Sequence, residues 1–440
     1  MMAKIRESAL KSVPRYTSYP AIPYWSGPPD IMAWMQSLRG HEQVDLYIHI
    51  PFCIKPCFYC GCNKKISKNR KLGSDYIELL KREWQLYKLK LPKLKISSLH
   101  FGGGTPNFLL SKDLKEILSF FSKDFASDFI GAIEIDPRTL ERGQLQVLKD
   151  FGFKRASLGV QDFDHVVQQR INRTQSFELV EKTVASLRGY DFESINFDLI
   201  YGLPTQSFET IQKTIELTLS LSPDMVAYYS YAHLPEKFVA QKKFLASELP
   251  SMKEKKDFFE MGKEMLLKQG FYQLGLDHFS SGDSYLTKAF QAKKLLRSFM
   301  GYTDRKSPVT IALGVSGISR SHEYFVQNVK DLKRYSDHIK RGQLIFDHGH
   351  HLTDEDSSRE RIIQKLMCYK EIYSEDLKNL SNSEEVKDFL EGLGKDGFLD
   401  RTLEGWKATE KGSPYLRVIA SSFDEYLGQN KKKGILFSSA

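Results

Sequence analysis

Four of the five cysteines in this 440-residue chain lie within ten residues of one another: Cys53, Cys57, Cys60 and Cys62. The first three, spaced Cys-x3-Cys-x2-Cys, place three thiolates on one short loop directly after a predicted strand. Three thiolates suit a [4Fe-4S] cluster, because one iron then stays open to a substrate or cofactor. A zinc site that uses all four cysteines is the alternative, although zinc sites usually pair two well-separated knuckles. Cys368 stands apart on an apolar helical face and is expected to pack in a core.

Composition and charge exclude several classes of protein. Hydrophobic residues make up 41% and charged residues 27% of the chain, which excludes a disordered or fibrous protein. We find no apolar run near the roughly 18 residues that span a bilayer and no signal-peptide core, so we expect a cytoplasmic protein without membrane insertion. The net charge of +9 is spread along the chain, and we expect no nucleic-acid partner. Clustered cysteines in such a chain favour metal or redox chemistry over disulfides.

From about residue 44 the chain alternates between short β-branched or aromatic runs and longer segments of helical period. This alternation is typical of parallel βα units, whose sheet is either open or closed into a barrel. Each predicted strand ends in residues suited to chemistry, and the carboxyl ends of such strands form the active face. Helices are expected at 74–89, 208–221 and 251–267. The six predicted strands span residues 45–50, 96–101, 132–135, 155–159, 194–199 and 225–231.

Both ends of the chain differ from this repeat. Residues 1–43 have no sustained period and contain five prolines, which predicts a non-helical arm, with a loose tail as the alternative. Towards the other end, Thr353 and Asp356 resemble a capping box, so a helix should begin there and reach residue 369. A small helical module with a hairpin-like wing should follow. The expected domains are an N-terminal arm at 1–43, a catalytic barrel with extensions at 44–346 and a C-terminal domain at 347–440.

The cysteine loop, followed after the next strand by Gly-Gly-Gly-Thr-Pro, resembles the radical S-adenosylmethionine (SAM) superfamily. A wider set of motifs is similar to the oxygen-independent coproporphyrinogen III oxidase (dehydrogenase) family, from about residue 13 to the C-terminal module. This resemblance implies an α/β fold: a partial (β/α)6 TIM-like barrel with an N-terminal arm and a small, mainly helical C-terminal domain. The motifs lie at residues 14–20, 47–53, 60–63, 102–106, 159–163, 172–173, 198–204, 231–235 and 314–319.

The same resemblance implies an oxidoreductase of haem biosynthesis. Its reaction is the anaerobic decarboxylation of two propionates of coproporphyrinogen III to vinyl groups, giving protoporphyrinogen IX. The oxidant is a 5′-deoxyadenosyl radical made from SAM, and an electron donor and an electron acceptor, both unknown, are also needed. A haem-delivery chaperone and a haem-modifying radical-SAM methyltransferase are the alternatives, but such chaperones typically lack the fourth cysteine and the Arg-Tyr-Thr-Ser-Tyr-Pro arm found here. We expect a monomer.

Carried over by position, the resemblance also implies roles for single residues. The iron ligands would be Cys53, Cys57 and Cys60, and the expected catalytic residues are Cys62, Tyr47 and Glu134. A first, cluster-bound SAM would be contacted by four residues: Tyr47, Gly103, Glu134 and Ile318. A second SAM would be contacted by seven residues: Tyr59, Gly104, Thr105, Gln161, Arg173, Asp198 and Ala232.

Structural roles are the alternatives for several of these positions. Glu134 and Asp198 could be helix N-caps, and Arg173 could be a surface ion pair of little energetic value. Tyr47 could be a core residue. The strand histidines are expected to be satisfied core residues rather than ligands: His49 and His100.

Two further segments matter for function. Met300 follows Phe299 at a position where the family usually carries glutamine, and a thioether supplies none of the amide's donors. The histidine-rich residues 348–351 are expected to form a solvated linker rather than a metal site. In the arm, Arg15 with its neighbouring tyrosines could close over a pocket, and its charge suits a substrate with four carboxylates.

Overall fold

The computed structural model describes residues 13–304 and 308–429, which form two compact units. One unit, which we call the sheet unit, comprises residues 27–271 and 308–349. The other is made of three separate segments, residues 13–26, 272–304 and 350–429, and we call it the discontinuous unit. The expected domains at 1–43, 44–346 and 347–440 remain a prediction, and the extreme ends of the first and the last lie outside the described residues.

Six parallel strands, neighbours in chain order, make up most of the sheet unit. All six fall where the sequence predicts them, so the α/β prediction is confirmed. The third is longer than expected, because a register shift between Ile96 and Ser98 lets Phe125 join the ladder. The strands are β1 Gln43–Ile50, β2 Lys95–Gly103, β3 Phe125–Ile135, β4 Phe153–Gln161, β5 Ser194–Tyr201 and β6 Met225–Ser230.

Beyond β1 the sheet continues through three short strands and then Phe346–His351. The strand β7 (Thr310–Leu313) pairs in parallel with β1, so that Ala312 lies opposite Tyr47. Antiparallel strands β8 (Ile318–Arg320) and β9 (Tyr324–Asn328) follow. The sequence did not predict these three, since each is too short to carry a clear period.

Helices connect the strands, and their starts follow local capping chemistry. Ser207 and Ser251 each begin a helix with a capping box, at Phe208–Ser220 and Met252–Lys268. These two helices and Lys71–Lys90 confirm the predicted ones. The non-helical prediction for the arm is wrong over Ile31–Ser37, because Asp30 accepts hydrogen bonds from two backbone amides and caps a helix there. The other helices of the unit are Ser111–Phe121, Gln144–Asp150, His165–Arg170, Phe177–Gly189 and Leu332–Lys340.

The discontinuous unit contains the predicted helix at Asp354–Tyr369, capped by Thr353. A three-stranded antiparallel sheet, in the order Glu371–Tyr373, Gly405–Ala408, Leu399–Arg401, includes the expected wing. Its other elements are Tyr272–Leu274, His278–Ser280, Tyr285–Gln291, Leu296–Ser298, Gly301–Thr303, Ser374–Leu377, Ser383–Lys395, Leu416–Ala420 and Glu425–Gln429.

The structure contradicts two interpretations of the sequence, one for the N-terminal arm and one for the histidine-rich residues 348–351. Tyr16 and Tyr19 belong to the buried core of the discontinuous unit, and the Tyr16 hydroxyl donates to Asp424, so the loose-tail alternative is wrong for this stretch. Residues 348–351 are part of the strand Phe346–His351 rather than a linker. Cys368 is buried in helix Asp354–Tyr369, as predicted. We find no described helix long and apolar enough to cross a membrane.

Candidate functional site at the carboxyl ends of the strands

The cysteine loop leaves the sheet at the end of β1. A short parallel ladder, Phe52–Cys53 with Lys65–Ile66, closes the loop at its base. The Gly104 amide donates to the Ile50 carbonyl at 2.8 Å, and a Cβ at Gly104 would lie only 3.1 Å from the Cys53 sulfur. Glycine at this position therefore lets the backbone after β2 approach the cysteine loop closely.

Hydrogen-bond donors point at two of the thiols. Thr105 Oγ1 donates to Cys53 Sγ at 3.3 Å, and Cys57 Sγ accepts from Arg173 Nη1 at 3.5 Å and Arg138 Nη2 at 3.6 Å. Burial raises the pKa of Cys53 to about 11, and the Thr105 hydrogen bond opposes that shift. Donors aimed at sulfur favour the thiolate, which is the form that binds iron.

The other two loop cysteines interact with each other. The hydrogen bond from the Cys62 thiol and the nearby Lys64 ammonium lower the pKa of Cys60. The same hydrogen bond and the charge of Cys60 raise the pKa of Cys62. Cys60 is thus favoured as the thiolate of this pair, which agrees with Cys60 as a ligand and Cys62 as a neighbour.

The donor set fits a [4Fe-4S] cluster. Within residues 13–304 and 308–429 no group of three or more His, Cys, Asp or Glu side chains is already arranged to hold a single metal ion, and the fit lies in the chemistry of the donors. All five cysteines are free thiols, and the three proposed ligands share one loop, with a hydroxyl directed at the sulfur of Cys53 and two guanidinium groups directed at that of Cys57. Hydrogen bonds of this kind to the sulfurs are among the features that tune iron–sulfur clusters.

Tyr47, Gly103 and Glu134 lie together across the first three strands. Glu134 Oε2 accepts from the Gly103 amide at 3.1 Å, and its Oε1 lies 3.4 Å from His100 Nε2. The Tyr47 ring stacks on His100 and its hydroxyl lies 3.2 Å from His49 Nδ1. Burial and the charge of Glu134 raise the pKa of Tyr47, so its hydroxyl stays protonated. Asp136, not Glu134, caps the following turn, and the helix-cap alternative for Glu134 is therefore wrong.

His49 is a satisfied core histidine, as expected, whereas His100 is only partly buried and lies 3.4 Å from Glu134 Oε1. His49 Nε2 hydrogen-bonds the Asn63 carbonyl at 2.9 Å, and burial lowers the pKa of His49. Gly103 has a φ of +112°, and a Cβ there would lie 2.6 Å from the His49 ring. His49 therefore supports the glycine turn, and a larger residue at Gly103 would be both strained and crowded.

A second group of polar residues lies at the ends of β4 and β5. Asp198 accepts from Ser157 Oγ at 2.9 Å and from Asn196 Nδ2 at 2.8 Å. It lies within a strand, so the helix-cap alternative is wrong here too. Gln161 has a φ of +70°, and the buried Asp162 beside it accepts from Gln206 Nε2 at 2.6 Å, which anchors this strained turn.

Arg173 is a buried residue rather than a surface ion pair. Its side chain is 8% exposed, with Nη1 3.2 Å from Asp136 Oδ2. It also donates through Nε and Nη2 to the Gly159 carbonyl, at 3.0 and 2.6 Å. Burial raises the pKa of Asp136, but the charges of Arg173 and Arg138 outweigh it and hold that pKa below its usual value.

Tyr59 and Ala232 are joined by a residue that the sequence did not single out. Gln241 Nε2 donates to the carbonyls of Tyr59 at 2.9 Å and Ala232 at 3.3 Å. Ile318 begins β8, next to the strand that pairs with β1. Arg138 was also missed, since its contact with Cys57 depends on folding. The sequence did offer a signal for Asp136, because this residue directly follows a predicted strand.

Residues 47–218 match the family model of the Radical SAM superfamily. A parallel βα sheet with a three-cysteine loop after its first strand is typical of this class of enzyme. The chain is 37% identical over 433 residues to the oxygen-independent coproporphyrinogen III oxidase of Pseudomonas aeruginosa, covering 94% of each chain. It is 35% identical over 440 residues to that of Helicobacter pylori, covering 96% of each.

A solved structure gives the same result over nearly the whole chain. Coproporphyrinogen III oxidase (HemN) from Escherichia coli, a radical SAM enzyme, is similar with a TM-score of 0.89 at 33% identity, covering 97% of this chain and 99% of that one. This chain therefore belongs to the oxygen-independent coproporphyrinogen III oxidase family and is a radical SAM oxidoreductase. Membership implies a [4Fe-4S] cluster and SAM as cofactors, and the predicted family and fold are confirmed.

Proposed function

We propose that this chain decarboxylates coproporphyrinogen III to protoporphyrinogen IX without oxygen. The observation that carries the proposal is identity of more than a third to a named oxidase over 94% of the chain. The intact Cys-x3-Cys-x2-Cys loop at the end of β1 supports it. The haem-delivery chaperone and the methyltransferase are less favoured, because the relatives that match over nearly the full length are named as oxidases.

In this proposal Cys53, Cys57 and Cys60 hold the cluster, and Cys62 tunes Cys60 without binding iron. When bound, the cluster supplies the electron that cleaves SAM to the 5′-deoxyadenosyl radical. Thr105, Arg138 and Arg173 donate hydrogen bonds to sulfur and thereby favour its thiolate form over the thiol. The positive charge of the two arginines and the donors of all three residues offset the negative charge of a thiolate-bound cluster.

Four residues around β1 are proposed to hold the first SAM. The Glu134 carboxylate accepts from ligand N–H or O–H groups, and Gly103 leaves room for close backbone approach. The hydroxyl of Tyr47, kept protonated by burial, donates to His49 Nδ1 and can accept a hydrogen bond from a ligand. Ile318 supplies an apolar contact.

A second SAM is proposed to lie against seven residues towards β4, β5 and β6. Asp198 offers a carboxylate acceptor, and Gln161 and Thr105 offer neutral polar groups. Arg173 offers positive charge, although its own donors already bind protein atoms. The remaining contacts come from backbone or ring atoms at Tyr59, Gly104 and Ala232.

Glu134→Ala and Asp198→Ala are each expected to weaken SAM use about tenfold or more while leaving the fold intact, because each removes a charged acceptor. The measurement is the KM for SAM in anaerobic SAM cleavage, beside the thermal unfolding midpoint. Asp128→Ala, at an exposed position on β3, is the matched control and should change neither quantity. Wild-type SAM cleavage in both site variants would contradict their assignment.

Reconstituted protein is expected to decarboxylate coproporphyrinogen III despite Met300, when incubated anaerobically with SAM, a reductant and an electron acceptor. Met300 lies at the tip of the hairpin between Leu296–Ser298 and Gly301–Thr303, where its backbone N–H donates to Ser298 Oγ at 3.2 Å. Methionine fills much of glutamine's volume but donates nothing, so Met300→Gln should preserve or improve turnover. SAM cleavage without protoporphyrinogen IX under every acceptor tried, together with tight haem binding, would contradict the proposal and favour a haem-directed role.

The remaining parts of the proposal concern partners and location. For each propionate converted, the enzyme draws one electron from a donor and passes one electron to an acceptor, neither identified by chemical class. Free thiols at all five cysteines agree with a reducing, cytoplasmic location. A monomer remains the prediction, and size-exclusion chromatography with light scattering would test it.

A further inference from the structure

Glu83 is a buried carboxylate that lies outside the sites described above. It lies on the buried face of helix Lys71–Lys90 and is 1% exposed. We find no Lys, Arg or His within ion-pair distance of it in the described part of the chain. Burying a carboxylate without a cationic partner is costly, so the position is poorly explained by packing alone.

The Glu83 carboxylate is surrounded by three hydrogen-bond donors. It accepts from the Gly314 amide at 2.8 Å, Asn328 Nδ2 at 2.8 Å and the Tyr335 hydroxyl at 2.6 Å. Asn328 Nδ2 also donates to the Gly314 carbonyl at 2.8 Å. Both backbone polar groups of Gly314, its N–H and its C=O, are thus bound by one connected network.

Tyr76, two helical turns before Glu83, binds the same loop. Its hydroxyl accepts from the Val315 amide at 2.9 Å and donates to the His49 carbonyl at 3.2 Å. Gly314 has a φ of +92°, and a Cβ there would lie 2.3 Å from this hydroxyl. Helix Lys71–Lys90 therefore fixes the loop from two points and links it to the end of β1.

The loop in question, residues 314–317, connects β7 to Ile318. Its backbone is unusual at a second position, since Ser316 has a φ of +58°. Such conformations persist only where the surroundings hold them, and Glu83 and Tyr76 supply much of that hold. The position of Ile318 depends on this loop, because Ile318 follows it directly.

We propose that Glu83 and Tyr76 are positioning residues that hold the 314–317 loop and thereby set Ile318 for contact with SAM. The inference rests on the proposed function, which gives Ile318 that contact. Neither residue touches SAM in this proposal, because each acts through the loop.

Titration of Glu83 gives the proposal a signature. Burial raises its pKa to about 7, and the three hydrogen bonds oppose that shift. The titratable groups that face it are Tyr76 and Tyr87 from its own helix and Tyr335 from Leu332–Lys340, and burial raises the pKa of all three, so they stay neutral near pH 7. Gly314, in the loop after β7, and Asn328, the last residue of β9, do not ionise. Below about pH 7 Glu83 gains a proton, accepts fewer hydrogen bonds and holds the loop less well.

The first test measures SAM cleavage by the reconstituted holoenzyme without coproporphyrinogen III. Glu83→Ala should raise the KM for SAM about tenfold with kcat changed less than about twofold, because hydrogen bonds to a charged group are lost. Glu83→Gln keeps one accepting oxygen, so it should raise the KM about threefold. In wild type the KM should rise as the pH falls from about 8 to about 6, and this rise should be absent in Glu83→Gln. Asp113→Asn, a buried carboxylate at the start of helix Ser111–Phe121, is the control and should leave the KM unchanged.

The second test is hydrogen exchange of the peptide 312–318 in the same holoenzymes. Bound SAM should slow its exchange in wild type, and Glu83→Ala should speed it without SAM, whereas Asp113→Asn should not. An unchanged KM in both Glu83 variants, or no SAM protection of this peptide in wild type, overturns the proposal. If Glu83→Ala does not fold, Glu83→Gln decides. If the enzyme cleaves SAM but makes no protoporphyrinogen IX, the proposed function is overturned. The two tests of Glu83 can still be interpreted in that case, because they measure SAM cleavage and hydrogen exchange rather than product formation.

Discussion

Alanine at Cys53, Cys57 or Cys60 is expected to abolish the iron–sulfur absorbance of reconstituted protein, whereas Cys62→Ala should retain most of it. Each of the three supplies one thiolate, and a cluster held by only two protein thiolates on one short loop should not persist. The measurement is the visible absorbance and iron content after anaerobic reconstitution, in variants purified side by side.

The structure explains why the fourth cysteine should behave differently. Cys62 donates a hydrogen bond to Cys60 and its own pKa is raised, so it is the poorer thiolate of the pair. Cys368→Ala, in a core far along the chain, serves as a second control and should leave the absorbance unchanged. Equal loss of iron in all four loop variants would instead indicate ligation by four thiolates.

Arg173→Ala is expected to lower the free energy of unfolding by about 3–5 kcal/mol, because it breaks a buried ion pair and leaves Asp136 with one guanidinium in place of two. It also removes two hydrogen bonds to the Gly159 carbonyl and one to the Cys57 sulfur. Denaturant unfolding at pH 7 without the cluster measures this effect separately from cofactor binding. Cluster yield after reconstitution should fall as well.

The matched control is Arg334→Ala, which removes an arginine whose side chain is 59% exposed and pairs with Asp347. Exposed pairs contribute about 1 kcal/mol or less, so this variant should remain near wild type. The pKa of Asp136 is lowered in the folded state, and its stabilising effect is therefore present above the unfolded pKa of about 3.9 and lost as pH falls through the folded value. The difference between wild type and Arg173→Ala should narrow below about pH 4. Equal losses in both arginine variants would contradict the buried-pair account.

Strands and helix starts were largely predictable because their signals are local. Alternating apolar residues, helical spacing and capping boxes act within a few residues, and β1, β4, β5 and the helix capped by Thr353 all follow them. The helix Ile31–Ser37 was missed because seven residues among prolines carry too little period. Strands β7 to β9 were not predicted either, because each is too short to show a clear period.

The candidate site was only partly predictable. Glu134 and Asp198 could be named from the sequence as polar residues at strand ends. Only the structure showed that neither of them caps a helix. Arg173 could equally have been a surface residue, and its burial against Asp136 became visible only after folding. No local motif marks Gln241, Arg138 or Glu83. Each of them binds a partner that lies far away in the chain, namely Tyr59, Cys57 and Gly314.

The sequence by itself determined which groups are available: three thiols on one loop, glycines after the next strand, and a βα order that puts strand ends on one face. These are properties of residue type, spacing and short-range periodicity. Only the tertiary structure decided which side chains meet, as where Arg138 and Arg173 reach Cys57 and where Glu83 binds the Gly314 amide. Such contacts join residues 81, 116 and 231 positions apart, and they depend on how whole helices and strands pack rather than on any local pattern.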